Sequence, residues 1–418
     1  MVTAAVRSLR HRNFRLFFIG QGISLIGTWM QGVALPWLVY DITGSVVLLG
    51  VVGFSGQILT FLLAPVAGVL ADRWNRRRLV MWAQVLALLQ ALALAILTMG
   101  GWIEVWHIIA LSLAGGLIRA FEIPIRQSFV IEMIEDRSDL PNAIALNSFL
   151  VNSSRLVGPS LAGVIIGLTG EGWCFLLNAI SYVAVIAALA AMRLAPRRIE
   201  PVRGNILAGL AEGLRYAWRH PAIRPVLALL ALVSLMGVPY QTLMPVFARE
   251  VLGGGPETMG FLMAAVGVGA IIGALSLALR QEARGMGRII MAAAVVFGAA
   301  LVAFAMSASF WLSMIILVFV GGGMMMQMAT SNTLLQTVVD EDKRGRVMSF
   351  YTMAFMGMGP FGSLLAGALA GLVGAPWTVA IGGMACIAGA AAFGLIALRP
   401  VEATLARGRA AAEVKGDR

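Results

Sequence analysis

Charge is what this sequence has least of. Only 12% of its 418 residues are Asp, Glu, Lys or Arg, 60% are hydrophobic, and the mean hydropathy is +0.88. A soluble domain usually carries about 25% charged residues, so a soluble globular chain is excluded. Lysine is nearly missing. Lys343 and Lys415 stand alone and no G-x-x-x-x-G-K-S/T stretch occurs, which excludes a nucleotide loop of that type. The two cysteines, Cys174 and Cys386, sit far apart in apolar runs, so neither a disulfide framework nor a cysteine metal motif is available. His11, His107 and His220 all lie at the edges of apolar runs or in polar segments. Without a His-metal cluster, a nucleophile elbow or paired catalytic acids, the sequence argues against an enzyme. No cofactor or metal is expected.

What is present is apolar length. Runs fall at roughly 14–40, 46–71, 79–99, 105–127, 142–167, 172–193, 223–248, 256–280, 286–306, 309–335, 346–372 and 375–398. Each is long enough to cross about 30 Å of hydrocarbon as a helix, and in lipid the backbone must satisfy itself internally, so these are helices rather than strands. The 48 glycines suit close helix approach in a bilayer. The fold class is therefore all-α and polytopic, with twelve transmembrane helices in two six-helix bundles, 1–195 and 223–400. A polar connector at 196–222 with helical amphipathic spacing and a tail at 401–418 complete it.

A net charge of +11 would suit nucleic acid in a soluble basic domain. Here the basic residues flank apolar runs instead, which is how orientation is set in membranes, and no nucleic-acid partner is expected. Arg7, Arg10, Arg12 and Arg15 precede the first span with no small-residue cleavage site behind them, the mark of an uncleaved anchor. The 68–79 turn, the 128–141 loop, the connector, the 281–288 and 340–346 loops and the tail are basic or mixed. The alternate loops near Asp41, Glu104, Glu171 and Ser307 carry acids or nothing, Arg249 being the clear exception. Both termini are thus expected in the cytoplasm, in agreement with an even span count. LVGPSLAG at 156–163 is echoed by GMGPFGSLLAG at 357–367, and Pro36 by Pro245. That offset of about half the chain is what two parallel six-span repeats produce.

The stretch GVLADRWNRRRL at 68–79 resembles the loop motif G-x-x-x-D-R-x-G-R-R of the major facilitator superfamily. Gly68, Asp72, Arg73, Arg76 and Arg77 match, and Asn75 replaces the usual Gly, as a residue that tolerates left-handed backbone. The second-half copy has Leu277 where the acid would be. The resemblance covers essentially the whole chain and implies an inner gate, with Asp72 meeting the segment around Arg344 when that side closes. The stretch IRAFEIPIRQSFVIEMI and the DLPNAIALNSFLVNSSRLVGPSLAG that follows it are similar to the branch of enterobactin exporters and macrolide efflux proteins. Gly158, Pro159 and Gly163 look like a shortened form of the helix-packing motif in the fifth span of such exporters.

Candidate site residues follow. Gln21, Ser24, Thr28 and Gln31 form one helical stripe on span 1, facing either a water-filled cavity or a neighbouring helix; the resemblance favours the cavity. Tyr240 and Gln241, with Gln327, Thr330, Ser331 and Asn332, would be its other wall, beside a methionine-rich run at 321–328. Arg119, Glu122 and Arg126 share a face of span 4, and Arg155 lies mid-span in span 5. A charge there costs about 2.5–3.5 kcal/mol on insertion scales, so it marks a path or a partner. Counting Arg119, Arg155 and Glu122 leaves a surplus positive charge suited to an anionic or electron-rich substrate. Glu122 is the leading proton carrier and Asp41 the reserve. The reading is a small-molecule exporter of siderophore-like or amphipathic drug-like cargo, proton-coupled as the resemblance implies, working by alternating access as a monomer in the bacterial cytoplasmic membrane. An importer or lipid flippase on the same fold is the alternative. A receptor is disfavoured because neither end carries a sizeable soluble domain.

Overall fold

The computed structural model describes residues 6–73, 75–193, 206–279, 285–341 and 343–406, with the side chains of these apart from 64–73, 128, 206–211 and 214. Among the described residues the secondary structure is helical throughout, and twelve helices are long and apolar enough to cross a membrane. Spans 1 to 6 are Arg12–Thr43, Val46–Arg73, Arg76–Met99, Val105–Val130, Leu140–Thr169 and Glu171–Ala191. Spans 7 to 12 are Ile223–Val251, Pro256–Ala278, Met286–Ala305, Phe310–Val338, Arg344–Val373 and Ala375–Ile396. Several helices overrun the apolar limits read from sequence, because helical hydrogen bonding continues into the polar ends that hydropathy does not count.

The chain divides into two compact units, Met1–Arg203 with Pro245–Ala264 and Gly204–Met244 with Ala265–Arg418. The division departs from a simple cut at the connector. The end of span 7 and the start of span 8 pack with the first six spans.

In the first unit, span 6 packs against both span 1 and span 3. At the end carrying Arg12, their apolar faces meet spans 4 and 5 in a core of Phe14, Phe17, Val80, Ile125, Phe129, Met133, Val185 and Leu189. The other faces are apolar and uncovered, as at Trp82, Leu86 and Leu89 of span 3; in a polytopic chain this is the lipid-facing surface. Exposed Trp82, Trp102, Trp106, Trp311 and Trp377 all lie within a few residues of a span end, where amphipathic rings settle at headgroup level.

In the second unit, span 7 is not a uniform helix. A regular start at Ile223–Leu232 gives way to a wide π turn at Val233–Gly237 and a tight 3-10 stretch at Val238–Leu243. Pro239 explains the change, since it has no N–H to donate and its ring crowds the carbonyl four residues back. The loosened segment bonds span 11, through Ser234 Oγ to the Phe355 carbonyl and Thr242 to Ser363 at 3.1 Å. Span 11 is itself interrupted at Gly357–Met358, just before Pro360. The connector helix Ile206–Arg219 docks on the start of span 11. Glu212 pairs with Arg346 at 2.6 Å, the Tyr216 hydroxyl reaches Asp340 at 3.0 Å, and Lys343 lies 4.7 Å over the Tyr216 ring.

Candidate functional site

The polar stripe of span 1 lies against other helices. Gln21 and Ser24 are buried, the Gln21 carbonyl oxygen without a hydrogen-bond donor among the described residues. Thr28 donates to the Ser24 carbonyl at 2.9 Å and meets the Tyr182 hydroxyl at 3.3 Å. Gln31 donates to Gln90 at 3.1 Å and accepts from Asn178 at 2.7 Å, while Gln90 donates to the Leu111 carbonyl at 3.1 Å. One amide chain therefore ties spans 1, 3, 4 and 6. Gly27 allows it, because a Cβ there would stand 2.6 Å from the Asn178 oxygen. The sequence analysis did not single out Gln90, Asn178 and Tyr182, although Gln90 is a polar group in an apolar run and Asn178, Ser181 and Tyr182 share one helical face at i, i+3 and i+4, which is the signal that would have found them.

The charged residues of span 4 separate into two settings. Glu122 and Arg126 form an ion pair at 2.6 Å, their side chains 15% and 14% exposed. Arg119 donates to the Gly56 carbonyl at 2.7 Å and stays exposed, with Glu122 and Tyr182 near enough to act on it electrostatically. So Glu122 neutralises Arg126 directly, and Arg119 has a carbonyl rather than a carboxylate. Arg155 lies over the Trp29 ring at 5.6 Å, a cation–π geometry.

At the end carrying Asp41, that carboxylate pairs with Arg249 at 2.6 Å, and the neighbouring buried Tyr40 hydrogen-bonds Glu250. Arg249, the exception to the charge pattern, thus has a counter-charge inside the first unit. Gly158 packs on span 1, where a Cβ would come within 3.0 Å of the Ile26 carbonyl. Gly163 packs on the start of span 8, 2.8 Å from the Pro256 carbonyl by the same measure. Pro159 is buried between them.

At the opposite end, Asp139 is buried and gathers Arg7 at 3.0 Å, Arg10 at 2.9 Å and His11 at 2.9 Å. Nearby Asp136 accepts from the Ser138 backbone, which holds its carboxyl below the usual carboxylate range. Arg76 pairs with Glu132 at 3.0 Å, and Arg77 donates to the Leu189 and Ala190 carbonyls at 2.9 and 3.0 Å. Asn75 is in extended backbone, φ −67°, and its side chain accepts from the Arg78 N–H at 3.1 Å. The left-handed role expected of it is corrected: Asn serves as an N-cap. The side chains of Gly68, Asp72 and Arg73 lie outside the described residues, so the expected meeting of Asp72 with span 11 does too. Arg344 is exposed and makes no side-chain bond among the described residues, while Arg346, which sequence reading passed over, holds the connector.

In the second unit, Tyr240 is buried with its ring 6.5 Å from that of Phe297, and Gln241 donates to its hydroxyl at 3.4 Å. Gln327, Thr330 and Ser331 are buried, each with one polar atom that has no hydrogen-bond partner among the described residues. Asn332 accepts from Gln336 at 2.5 Å, and the Tyr351 hydroxyl donates to the Met328 carbonyl at 3.2 Å. Among the described residues no cluster of His, Cys, Asp and Glu is arranged to hold a metal.

Twelve apolar helices, polar networks between them and a charged group kept accessible within a span define a polytopic membrane transporter. The chain belongs to the transmembrane secretion effector family of the major facilitator superfamily, which it matches over residues 3–414. It is 27% identical to the staphyloferrin A transporter of Staphylococcus aureus, covering 89% of this chain and 93% of that one. It is 26% identical to the multidrug efflux pump Tap of Mycolicibacterium fortuitum (85% and 87% covered) and 25% identical to the enterobactin exporter EntS of Shigella boydii (87% and 86%). Its fold is shared by a bacterial homologue of the human lysosomal transporter Spinster, at a TM-score of 0.71, 14% identity and 95% and 98% coverage. The family and these relatives are transporters, not enzymes.

Proposed function

We propose that the chain is a secondary active exporter of anionic, siderophore-like small molecules, driven by the proton gradient and working by alternating access. Amphipathic drug-like cargo is the second substrate class. The observation that carries the substrate class is Arg119, an accessible guanidinium with a carbonyl as its bonded partner while the nearest carboxylate, Glu122, is engaged by Arg126. An uncompensated positive charge inside a span attracts a carboxylate or catecholate and disfavours a cation. The names of the relatives support export; without a nucleotide loop of the G-x-x-x-x-G-K-S/T type transport is passive or driven by an ion gradient, and the family resemblance favours the proton gradient. Glu122 carries the proton in this scheme, with Arg126 as the charge that its protonation would release. Asp41, paired with Arg249, is the reserve proton carrier, and the termini face the cytoplasm.

The test uses inside-out vesicles containing the protein and an imposed pH gradient. Uptake of an iron-free catecholate or polycarboxylate siderophore is expected, and Arg119→Gln should lower it at least tenfold while sparing a cationic dye. Unimpaired anion uptake by Arg119→Gln refutes the substrate class. Uptake only into right-side-out vesicles reverses the direction and makes the chain an importer.

A further inference from the structure

Two clamps organise the Arg12 end of the first unit. Asn13 holds the chain that leaves span 6, its amide donating to the Arg193 carbonyl at 2.9 Å and accepting from the Arg193 N–H at 3.1 Å. Arg77 holds the last turn of the same helix to span 3. The ends of spans 1, 3 and 6 are thereby fixed together, and basic residues stand on all three. Their charges are of two kinds. Arg7, Arg10, Arg76 and Arg77 are each engaged by a carboxylate or a helix-end carbonyl. Arg12, Arg15, Arg78 and Arg193 are exposed, and their side chains have no hydrogen-bond or ion-pair partner among the described residues.

Below these four the surface turns apolar. Arg12, Arg15, Ile19 and Ile23 are exposed at helical i, i+3, i+7 and i+11 positions on span 1. Span 6 exposes Ile180, Val183, Ala187 and Ala190 beneath Arg193, and span 3 exposes Trp82 one turn below Arg78. A tryptophan at that depth marks the headgroup level, so the guanidiniums stand at the height of lipid phosphates and the stripes at the height of acyl chains.

We propose that this corner is a binding site for a diacyl anionic phospholipid, with Arg12, Arg15 and Arg193 holding the phosphate and Arg78 flanking them. The acyl chains would lie along the exposed faces of spans 1 and 6. Arginine suits the role, since its planar fork matches phosphate oxygens two at a time. The backbone clamps preset the positions, so binding costs less ordering than a loose basic tail would. The surface must be a lipid site rather than one for free phosphate, because the apolar stripes have no counterpart in an inorganic anion.

The full-length protein in detergent micelles is to be examined by native mass spectrometry and thermal unfolding with dioleoylphosphatidylglycerol or dioleoylphosphatidylcholine added. Retention of phosphatidylglycerol over phosphatidylcholine, with a rise in melting temperature for phosphatidylglycerol alone, is expected. Each neutralised arginine should weaken retention by roughly fivefold, so R12Q/R15Q/R193Q should lose about a hundredfold. Arg288→Gln, an exposed arginine at the start of span 9 in the second unit, should leave retention unchanged. Should the triple variant not fold, Arg15→Gln alone carries the test through the single fivefold step. Equal retention of the two lipids by the wild type, or unchanged retention in R12Q/R15Q/R193Q or Arg15→Gln, overturns the site. The assay contains no transported substrate, so its outcome is independent of the proposed export.

Discussion

Neutralising Glu122 should strand Arg126, its bonded partner, and weigh less on Arg119. The pair is 2.6 Å apart, and with the two side chains 15% and 14% exposed solvent screens it little. At an effective dielectric near 20, unit charges about 4 Å apart attract by about 4 kcal/mol. Removing one partner of a buried pair costs about 3–5 kcal/mol because the other charge is stranded. Taking about 3 kcal/mol for Glu122→Gln, and about 2–4 °C per kcal/mol for a unit of some two hundred residues, the unfolding midpoint falls by about 6–12 °C. The double variant Glu122→Gln/Arg126→Gln strands nothing and should recover most of the loss, giving a coupling energy near 2 kcal/mol in a double-mutant cycle. Glu122→Gln/Arg119→Gln should recover less, since Arg119 feels Glu122 without bonding it and is bonded to the Gly56 carbonyl. Thermal unfolding in detergent of the wild type, the single variants Glu122→Gln, Arg126→Gln and Arg119→Gln, and the two double variants reads all six midpoints. Additive losses for the 122/126 pair, or a recovery by the Arg119 substitution as large as that by Arg126→Gln, would refute this assignment of charges.

A leucine at Gly163 should abolish vesicle transport and lower the unfolding midpoint by about 2–12 °C, because even a Cβ would come 2.8 Å from the Pro256 carbonyl and hold span 5 off span 8. Asn178→Leu should destabilise by about 1–3 kcal/mol in the same unfolding assay, since it leaves the Gln31 oxygen without its 2.7 Å donor. The connector should loosen on acidification. Burial pulls the His220 pKa below its ordinary value, with Asp340 opposing, and its Nδ1 accepts the Ala222 N–H at 3.3 Å. A lowered folded-state value means the unfolded segment takes up the proton first. The contribution is therefore complete above the ordinary histidine range and is lost as pH falls through the folded-state value. Limited trypsin cleavage at Arg215 and Arg219 should accelerate in that window for the wild type but not for His220→Gln.

The spans were legible because hydrocarbon thickness fixes a minimum apolar length, and no other constraint in the chain is as strong. Pairings were less legible for a physical reason. Hydropathy and spacing say which residues share a face, as for Gln21, Ser24, Thr28 and Gln31, but not whether that face meets water or a neighbour. Gln31 joins Gln90 and Asn178, which stand 59 and 147 residues away, and no local pattern encodes such distances. Arg249 is the instructive middle case. Its violation of the charge rule was visible in sequence, and such a violation is itself a sign of a specific counter-ion, here Asp41. Asn75 misled because both left-handed turns and helix N-caps favour asparagine, and only the backbone angle separates the two roles.

The triplet Arg76–Arg77–Arg78 shows why one short basic turn carries so much. Consecutive residues on a helix point about 100° apart, so three arginines in a row cannot share one partner. Arg76 turns to Glu132, Arg77 to the end of span 6, and Arg78 away from both. The middle position also explains arginine in place of lysine. The last carbonyls of a helix have no intrahelical donor and carry its partial negative charge. Arg77 satisfies two of them at once, through Nε to Leu189 and Nη2 to Ala190 at 2.9 and 3.0 Å. A lysine ammonium is a compact charge without that planar fork, so Arg77→Lys preserves the charge and loses the two-point hold between spans 3 and 6. The turn is thus a structural joint of the first unit in its own right, whatever Asp72 contributes to a gate.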